Sequence, residues 1–348
     1  MIEFGSEFHY IQQKGVVGAS LMDYYPEAVY YADGRQALIH LYKSQGWKRL
    51  WMPEYYCYDV VEFLKQSGLE LVFYRDFPGC GEDNNTLEAL ERKGSFRDGD
   101  AILRVNYFGT RSVRRSDNLS VASIVEDHTH DLIGGWAAQS TAGWCIASLR
   151  KTLPIPEGGI LWSPSGLQLP DPPSSSEQNE EIAGTRWEAM KLKERYLAGD
   201  AIAKAAFRAG YVDTEVFFDT APVCALDVRS KEYLRAFDIR AWYQKKRENW
   251  AIMSAAKMSV AHVLCPENLA CNPFSLVLLF DSVYDRDKAR KELIGHDVYP
   301  AVLWDLPATV QRESSGISRR MLSIHCDGRY DAEDMQQLKL VLESVTRR

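Results

Sequence analysis

No Cys-x-x-Cys pair occurs among the seven cysteines, at positions 57, 80, 145, 224, 265, 271 and 326, and none stands at zinc-finger spacing from a histidine pair. Their odd number excludes a complete disulfide framework and fits the reduced thiols of a cytosol. No apolar run approaches the roughly 18–20 residues that cross a bilayer. The opening MIEFGSEFHY has an acid at its third position and no hydrophobic stretch of leader-peptide length. A cytoplasmic chain with no membrane partner is therefore expected. Basic charge is also short: the formal net charge is −7, so there is no excess of Lys and Arg to neutralise a phosphate backbone, and nucleic acid is not an expected partner. The short runs Arg114-Arg115 and Lys245-Lys246-Arg247 read as solvated faces. No internal repeat is visible. What the chain does have is length and apolar content. Its 348 residues, 46% hydrophobic and 26% charged, can bury a substantial core and point to two domains.

From residue 35 to about 120 helical and strand-like stretches alternate, the pattern of helices laid over a largely parallel sheet. Gln36 to Ser44 and Asp59 to Gln66 have helical spacing and end at Gly46 and Gly68. Arg49 to Met52, Glu70 to Tyr74, Ala101 to Tyr107 and Ser123 to Val125 are apolar runs of strand length. The Pro- and Ser-rich, then acidic, segment from Ser163 to Glu181 predicts a mobile loop. Helices are expected over 182–199 and 200–209, and a change of style near Asp219 marks a domain boundary. Beyond it the pattern predicts a helix over 230–257, strands over 274–281, 297–303 and 320–325, and helices over 285–294 and 331–345. The expected organisation is thus a large α/β domain, 1–218, with a mostly parallel central sheet, and a smaller C-terminal α+β domain, 219–348.

The chemistry concentrates in Val125-Glu126-Asp127-His128-Thr129-His130 and in Ser148-Leu149-Arg150-Lys151, which is followed by Pro156-Glu157-Gly158-Gly159. Asp127 stands at the carboxyl end of an apolar strand, where open α/β sheets bind ligands. Lys151 lies in a turn after another short strand, with a Gly-Gly pair that allows close backbone approach. Taken singly, an Asp there is a helix cap and a Lys a solvated side chain. Together they offer what pyridoxal phosphate needs: an amine for a Schiff base with its aldehyde, and an anion that keeps its ring nitrogen protonated. A phosphate seat is available where Gly34, in Asp33-Gly34-Arg35-Gln36, opens a helix with free backbone N–H groups. Ser148 could add a hydroxyl, and Tyr56 an aromatic face for the ring. His128 reads as structural. Arg319, Arg320 and Arg329 lie in or beside a strand of the small domain; surface placement is the better reading and no role is assigned to them.

Over most of its length the chain resembles the DegT/StrS-type aminotransferases, the sugar-aminotransferase branch of fold-type I PLP enzymes. The resemblance is carried by GRQAL (34–38), WMPEYYCYDVVEFLKQSGLELVFYRD (51–76), VNYFG (105–109), VEDHTHDLIG (125–134), the segment from Ser148 through Gly158-Gly159 to Leu161, and LSIHCDGRYDAEDMQQL (322–338). It implies that Lys151 is the Schiff-base residue, that Asp127 pairs with the ring nitrogen, and that His130 lies against the ring or its hydroxyl. It places Tyr56 at the ring face and Ser148, Gly34, Arg35 and Gln36 at the phosphate. It also implies a homodimer with its site at the subunit interface. Three departures are visible: only two residues separate Ser148 from Lys151, Pro156-Glu157-Gly158-Gly159 stands in place of a Gly-Glu-Gly-Gly run, and an Asn-Tyr-Arg-type segment is replaced by the Pro/Ser loop and Thr185-Arg186-Trp187-Glu188-Ala189-Met190. The first two leave the lysine assignment standing; the last points away from a nucleotide sugar and leaves amino-acid-like or other small carbonyl substrates open.

The expected function is therefore a PLP-dependent aminotransferase moving an amino group from an amino-acid donor to a small keto or aldehyde acceptor, with a sugar-derived compound or a biosynthetic intermediate open as that acceptor. Elimination, decarboxylation or carbon–carbon bond chemistry on the same fold is an alternative, since substrate contacts decide which bond breaks. A non-catalytic PLP-binding protein is another.

Overall fold

The computed structural model describes residues 2–13, 18–80, 83–114, 119 and 123–347. Strand β1 (Phe4–Gly5) and the single turn α1 (Leu21–Tyr24) precede an alternating series. The series runs β2 (Val29–Tyr31), α2 (Gly34–Ser44), β3 (Arg49–Pro53), α3 (Tyr58–Gln66), β4 (Glu70–Tyr74), α4 (Asp83–Arg92), β5 (Asp100–Val105) and β6 (Ser123–Asp127). It closes with α5 (Gly135–Gln139), β7 (Trp144–Ser148) and β8 (Gly159–Trp162). Seven of these strands form one sheet in the order β2-β8-β7-β6-β5-β3-β4. The pairs from β4 through to β7 are parallel, whereas β8 runs antiparallel to both β7 and β2. The mixed α/β fold with a mostly parallel central sheet is the one the sequence predicts. β3 and β5 are buried along their whole length, which is why they read as continuous apolar runs without alternation.

Because the central strands are parallel, their carboxyl ends share one edge of the sheet. Pro53, Val105, Asp127 and Ser148 are the last residues of β3, β5, β6 and β7. β6 extends two residues beyond the expected Val125, so Asp127 is itself the end of the strand. The start of α2 is pressed against this edge through glycines. A Cβ on Gly159 would lie 2.3 Å from the Asp33 carbonyl oxygen, and one on Gly34 would lie 2.9 Å from Ser148 Cα.

Beyond β8 come α6 (Glu177–Leu197), α7 (Lys204–Thr220), α8 (Val228–Ala236) and α9 (Ile239–Ser254). β9 (Ala261–Val263), β10 (Leu276–Phe280), α10 (Val283–Gly295), β11 (Val298–Tyr299), α11 (Arg312–Ser318), β12 (Met321–Ile324) and α12 (Ala332–Val345) complete the chain. A second, antiparallel sheet has the order β12-β10-β9, and β1 crosses the length of the chain to pair with β11.

Several boundaries differ from expectation for local reasons. The expected loop over 163–181 ends early, because Ser176 caps α6 by accepting the Asn179 N–H and Glu177 and Glu180 fall in the favourable first turn. The short helix expected over 200–209 continues as α7 to Thr220. The long helix expected over 230–257 is two helices: Phe237 is extended, and Asp238 starts α9 by accepting the Ala241 N–H. The strand expected over 297–303 is only Val298–Tyr299, since Pro300 follows and cannot donate to a ladder. Two charge runs also depart from a solvated reading. Arg114 is buried and pairs with Glu267 at 2.6 Å, while Lys246 is buried and donates to Thr152 Oγ1 at 3.3 Å. Arg115 lies outside the described residues.

The close approach at Gly159 makes a test of the fold. Gly159→Ala should lower unfolding free energy by roughly 3 kcal/mol, because the colliding atom is backbone and cannot rotate away. Urea denaturation of the two proteins measures this.

Candidate active site

A cavity of about 140 Å³ opens at the carboxyl edge of the large sheet. Seven of the eight residues singled out from the sequence line it: Gly34, Arg35, Tyr56, Asp127, His130, Ser148 and Lys151. Gln36 does not. Its side-chain oxygen accepts from the Cys224 N–H at 3.1 Å, and its own N–H is given to the Asp33 carbonyl, so its side chain is turned towards Cys224. The opposite wall comes from the C-terminal part of the chain, with Phe274, Leu303 and Trp304.

Strand alternation sorts the Glu126-Asp127-His128 triplet. Asp127 faces the cavity, while Glu126 and His128 point to the other side of the sheet, where they meet at 3.1 Å beside buried Cys145. Arg104 stands near Glu126 there at 3.9 Å, and its positive charge disfavours a metal ion in that cluster.

Three donors converge on the Asp127 carboxylate. Tyr56 Oη donates to Oδ2 at 2.6 Å, and Thr129 gives Oδ1 both its N–H, at 2.9 Å, and its hydroxyl, at 2.6 Å. A carboxylate accepts about four such bonds, so one position is unfilled. The Thr129 hydroxyl oxygen also accepts from the Ser148 N–H at 2.9 Å, tying the end of β6 to the end of β7. Tyr56 therefore enters through its hydroxyl, and burial beside Asp127 pushes its phenol far above the usual range.

His130 lies buried with its ring parallel to those of Phe108 and Trp304, at centroid distances of 5.4 and 5.7 Å. Phe108 N–H donates to His130 Nδ1 at 3.0 Å, which leaves the proton of a neutral imidazole on Nε2. Phe108 itself has φ +55°, a strained conformation for a bulky residue. It is held by that bond and by the Phe274 N–H donated to its carbonyl at 2.7 Å. Burial, with Lys246 and Lys151 adding positive charge nearby, lowers the His130 pKa to about 3.

Lys151 lies in a 3₁₀ turn, Leu149–Lys151, directly after β7. The positive charge of Arg150 next to it, followed by desolvation of the amine, lowers its pKa from the ordinary lysine value, which raises the fraction of free amine. Arg150 is held by Glu215 at 2.7 Å, and Glu215 also pairs with Arg186 at 3.0 Å.

Pyridoxal phosphate fits this donor set. The amine, the carboxylate with an open acceptor position, and the start of α2, capped by Asp33, surround one space. The buried Ser148 Oγ has no hydrogen-bond partner there. Of the other groups around this space, Thr129 and Arg150 adjoin predicted residues in sequence, whereas Glu215, Phe274 and Trp304 lie more than 60 residues away and carry no local signal. Among the unassigned arginines, Arg329 is buried and bound to Asp327 at 2.8 Å, so it is neither a surface group nor a free clamp.

Solved structures share this architecture. Spr1654 of Streptococcus pneumoniae, assigned as a sugar aminotransferase and solved in PMP and PLP forms, superposes in its PMP form with a TM-score of 0.65 at 14% identity. The match covers 94% of this chain and 90% of that one. A DegT/DnrJ/EryC1/StrS aminotransferase from Brucella abortus gives 0.57 at 13% identity, over 94% and 88% of the two chains. The sugar aminotransferase CalS13 from Micromonospora echinospora gives 0.57 at 14%, over 94% and 92%. The fold is that of the DegT/StrS-type sugar aminotransferases. No protein-family model and no curated protein sequence matches the chain. The aminotransferase fold places its strand ends around the cavity just described, and at such low identity the likeness is one of fold alone.

The buried neutral imidazole gives a pH signature. Between pH 6.5 and about 3 the unfolded chain binds a proton that folded His130 refuses, so folding stability must drop as pH falls through that window. Between pH 6.5 and 5 the contribution is about 2 kcal/mol. Urea unfolding of wild type and His130→Gln at the two pH values should show that much less acid sensitivity in the variant.

Proposed function

We propose that the protein is a PLP-dependent aminotransferase acting on an amino-acid donor and a small keto or aldehyde acceptor. The observation that supports this most is the Lys151 amine and the Asp127 carboxylate lining one cavity at the ends of parallel strands, beside an unbonded Ser148 hydroxyl and a helix start. Bound there, pyridoxal phosphate would supply the electron sink that lets an amino acid lose its α-proton. Lys151 Nζ would hold the cofactor through its aldehyde carbon and then carry a proton to and from the substrate carbon. Its lowered pKa favours both tasks. Asp127, oriented by Tyr56 and Thr129, would hold the ring nitrogen's proton. His130 Nε2–H would donate to a ring substituent, and Ser148 with the α2 start would take the phosphate. Phe274, Leu303 and Trp304 would exclude water from the substrate side.

The division of labour follows a boundary near Asp219: 1–218 carries the cofactor groups and 219–348 closes over them. No helix among the described residues is long and apolar enough to cross a membrane, and we place the enzyme in the cytoplasm. We also infer a homodimer with its site near the interface. α7, which brings Glu215 to the cavity, leaves Val212 and Val216 63% and 64% exposed one turn apart, an apolar pair that a second copy would cover.

Purified protein mixed with PLP should develop an absorbance band at the violet edge of the visible range. Lys151→Ala should lack it and lose more than about 10²-fold in turnover. Adding glutamate to the loaded enzyme should bleach the band and release one equivalent of the keto acid. Loss of carbon dioxide or a side chain instead would put the chemistry in another PLP class. For the dimer, Val216→Glu should halve the mass seen by light scattering.

A further inference from the structure

The seat expected for a phosphate is occupied by a carboxylate. Asp33, one residue before α2, accepts the Arg35 N–H through Oδ1 at 2.9 Å and so caps the same helix start. Its Oδ2 makes no hydrogen bond although the residue is 97% buried, with 3% of its surface exposed. That oxygen faces Arg150 Nε at 3.5 Å, and Oδ1 faces Arg35 Nε at 3.4 Å. Neither Nε finds a hydrogen-bond partner, nor does the Ser148 hydroxyl, and all four residues line the cavity.

The counter-charges of both arginines are themselves about half-exposed. Arg35 is held by Asp219 at 2.6 Å, and Arg150 by Glu215 at 2.7 Å; these acids are 51% and 43% exposed. Glu215 is divided between Arg150 and Arg186. The other charges facing this end are Lys151 and Asp59. Two guanidinium edges and a hydroxyl, all short of acceptors beside a capped helix start, are satisfied poorly by a single carboxylate with one bonded oxygen. A phosphate dianion has three free oxygens and twice the charge, and matches the set better.

We propose that Arg150, with Arg35, is the phosphate clamp this chain supplies, and that the Asp33 carboxylate is an internal anion the cofactor's phosphate must displace. The inference rests on the reading of the cavity as a pyridoxal phosphate site. Asp33 thereby acts against phosphate affinity: its negative charge remains beside the incoming dianion and its cap on the Arg35 N–H must open. A plain N-cap role would need its hydrogen bond and no charge. Asp33→Asn separates the two roles, because asparagine caps equally well without the charge.

The test compares binding of pyridoxal phosphate and of pyridoxal, which has the aldehyde and ring but no phosphate, to the full chain by equilibrium dialysis. Arg150→Met should weaken pyridoxal phosphate binding at least tenfold and leave pyridoxal unchanged. Asp33→Asn should tighten pyridoxal phosphate binding several-fold and leave pyridoxal unchanged. The second variant retains the cap, so the test does not depend on Arg150→Met folding. If wild type binds both aldehydes but Asp33→Asn loosens pyridoxal phosphate, or Arg150→Met affects both ligands alike or neither, this inference is overturned and the cofactor reading stands. If wild type binds neither aldehyde, the cofactor reading falls and the inference with it.

Discussion

The site depends on one hydroxyl that works in two directions. Thr129 Oγ1 donates to the Asp127 carboxylate and accepts from the Ser148 backbone N–H, so the acid at the end of β6 and the serine at the end of β7 are fixed relative to each other. Ladder bonds hold the strands, but the register ends at Asp127 against Ile146. Beyond that point the Thr129 bridge is the link that carries the alignment to the residues lining the cavity. With Tyr56 on the other carboxylate oxygen, Asp127 has little rotational freedom left. Such fixed polar groups at strand ends lose little entropy when a ligand arrives, which is how rigid scaffolds support binding.

Electrostatics around Lys151 follow from the same crowding. Arg150 is its neighbour in a tight 3₁₀ turn, and repulsion between the two cations is the largest influence lowering the lysine's affinity for a proton. Glu215, from a helix that begins more than 50 residues later, holds Arg150 and moderates that effect. On the far wall, burial makes His130 a neutral imidazole with a defined tautomer. The cavity thus combines a weakened ammonium group, a neutral ring and an oriented acid within a small volume. These properties belong to the neighbours as much as to the residues themselves.

Much of this was legible in the chain. The parallel sheet showed itself as apolar runs at β3, β5 and β6, because strands buried on both faces need no alternation. Asp127 could be placed at a strand end and Lys151 in a turn from local spacing alone. Gln36 falls outside the cavity lining because helix residues adjacent in sequence differ by about 100° in direction, and Gln36 turns to Cys224 while Arg35 turns to the cavity. Lys246 and Arg114 were hidden inside charged runs; each is buried because a partner from a distant segment meets it. Helix ends were missed wherever a single capping side chain decided them, as at Ser176 and Asp238.

The sequence by itself determined the class of fold, since hydrophobic period and turn residues are local properties that every part of the chain carries with it. It also determined which residue types were available for chemistry near residues 127 and 151. Only the tertiary structure decided that Asp33 rather than an open helix start meets Arg150, that Glu215 holds that arginine, and that Phe274 and Trp304 complete the wall. These contacts join segments from 65 to more than 150 residues apart. Their geometry is set by how layers pack against one another, which no local pattern encodes.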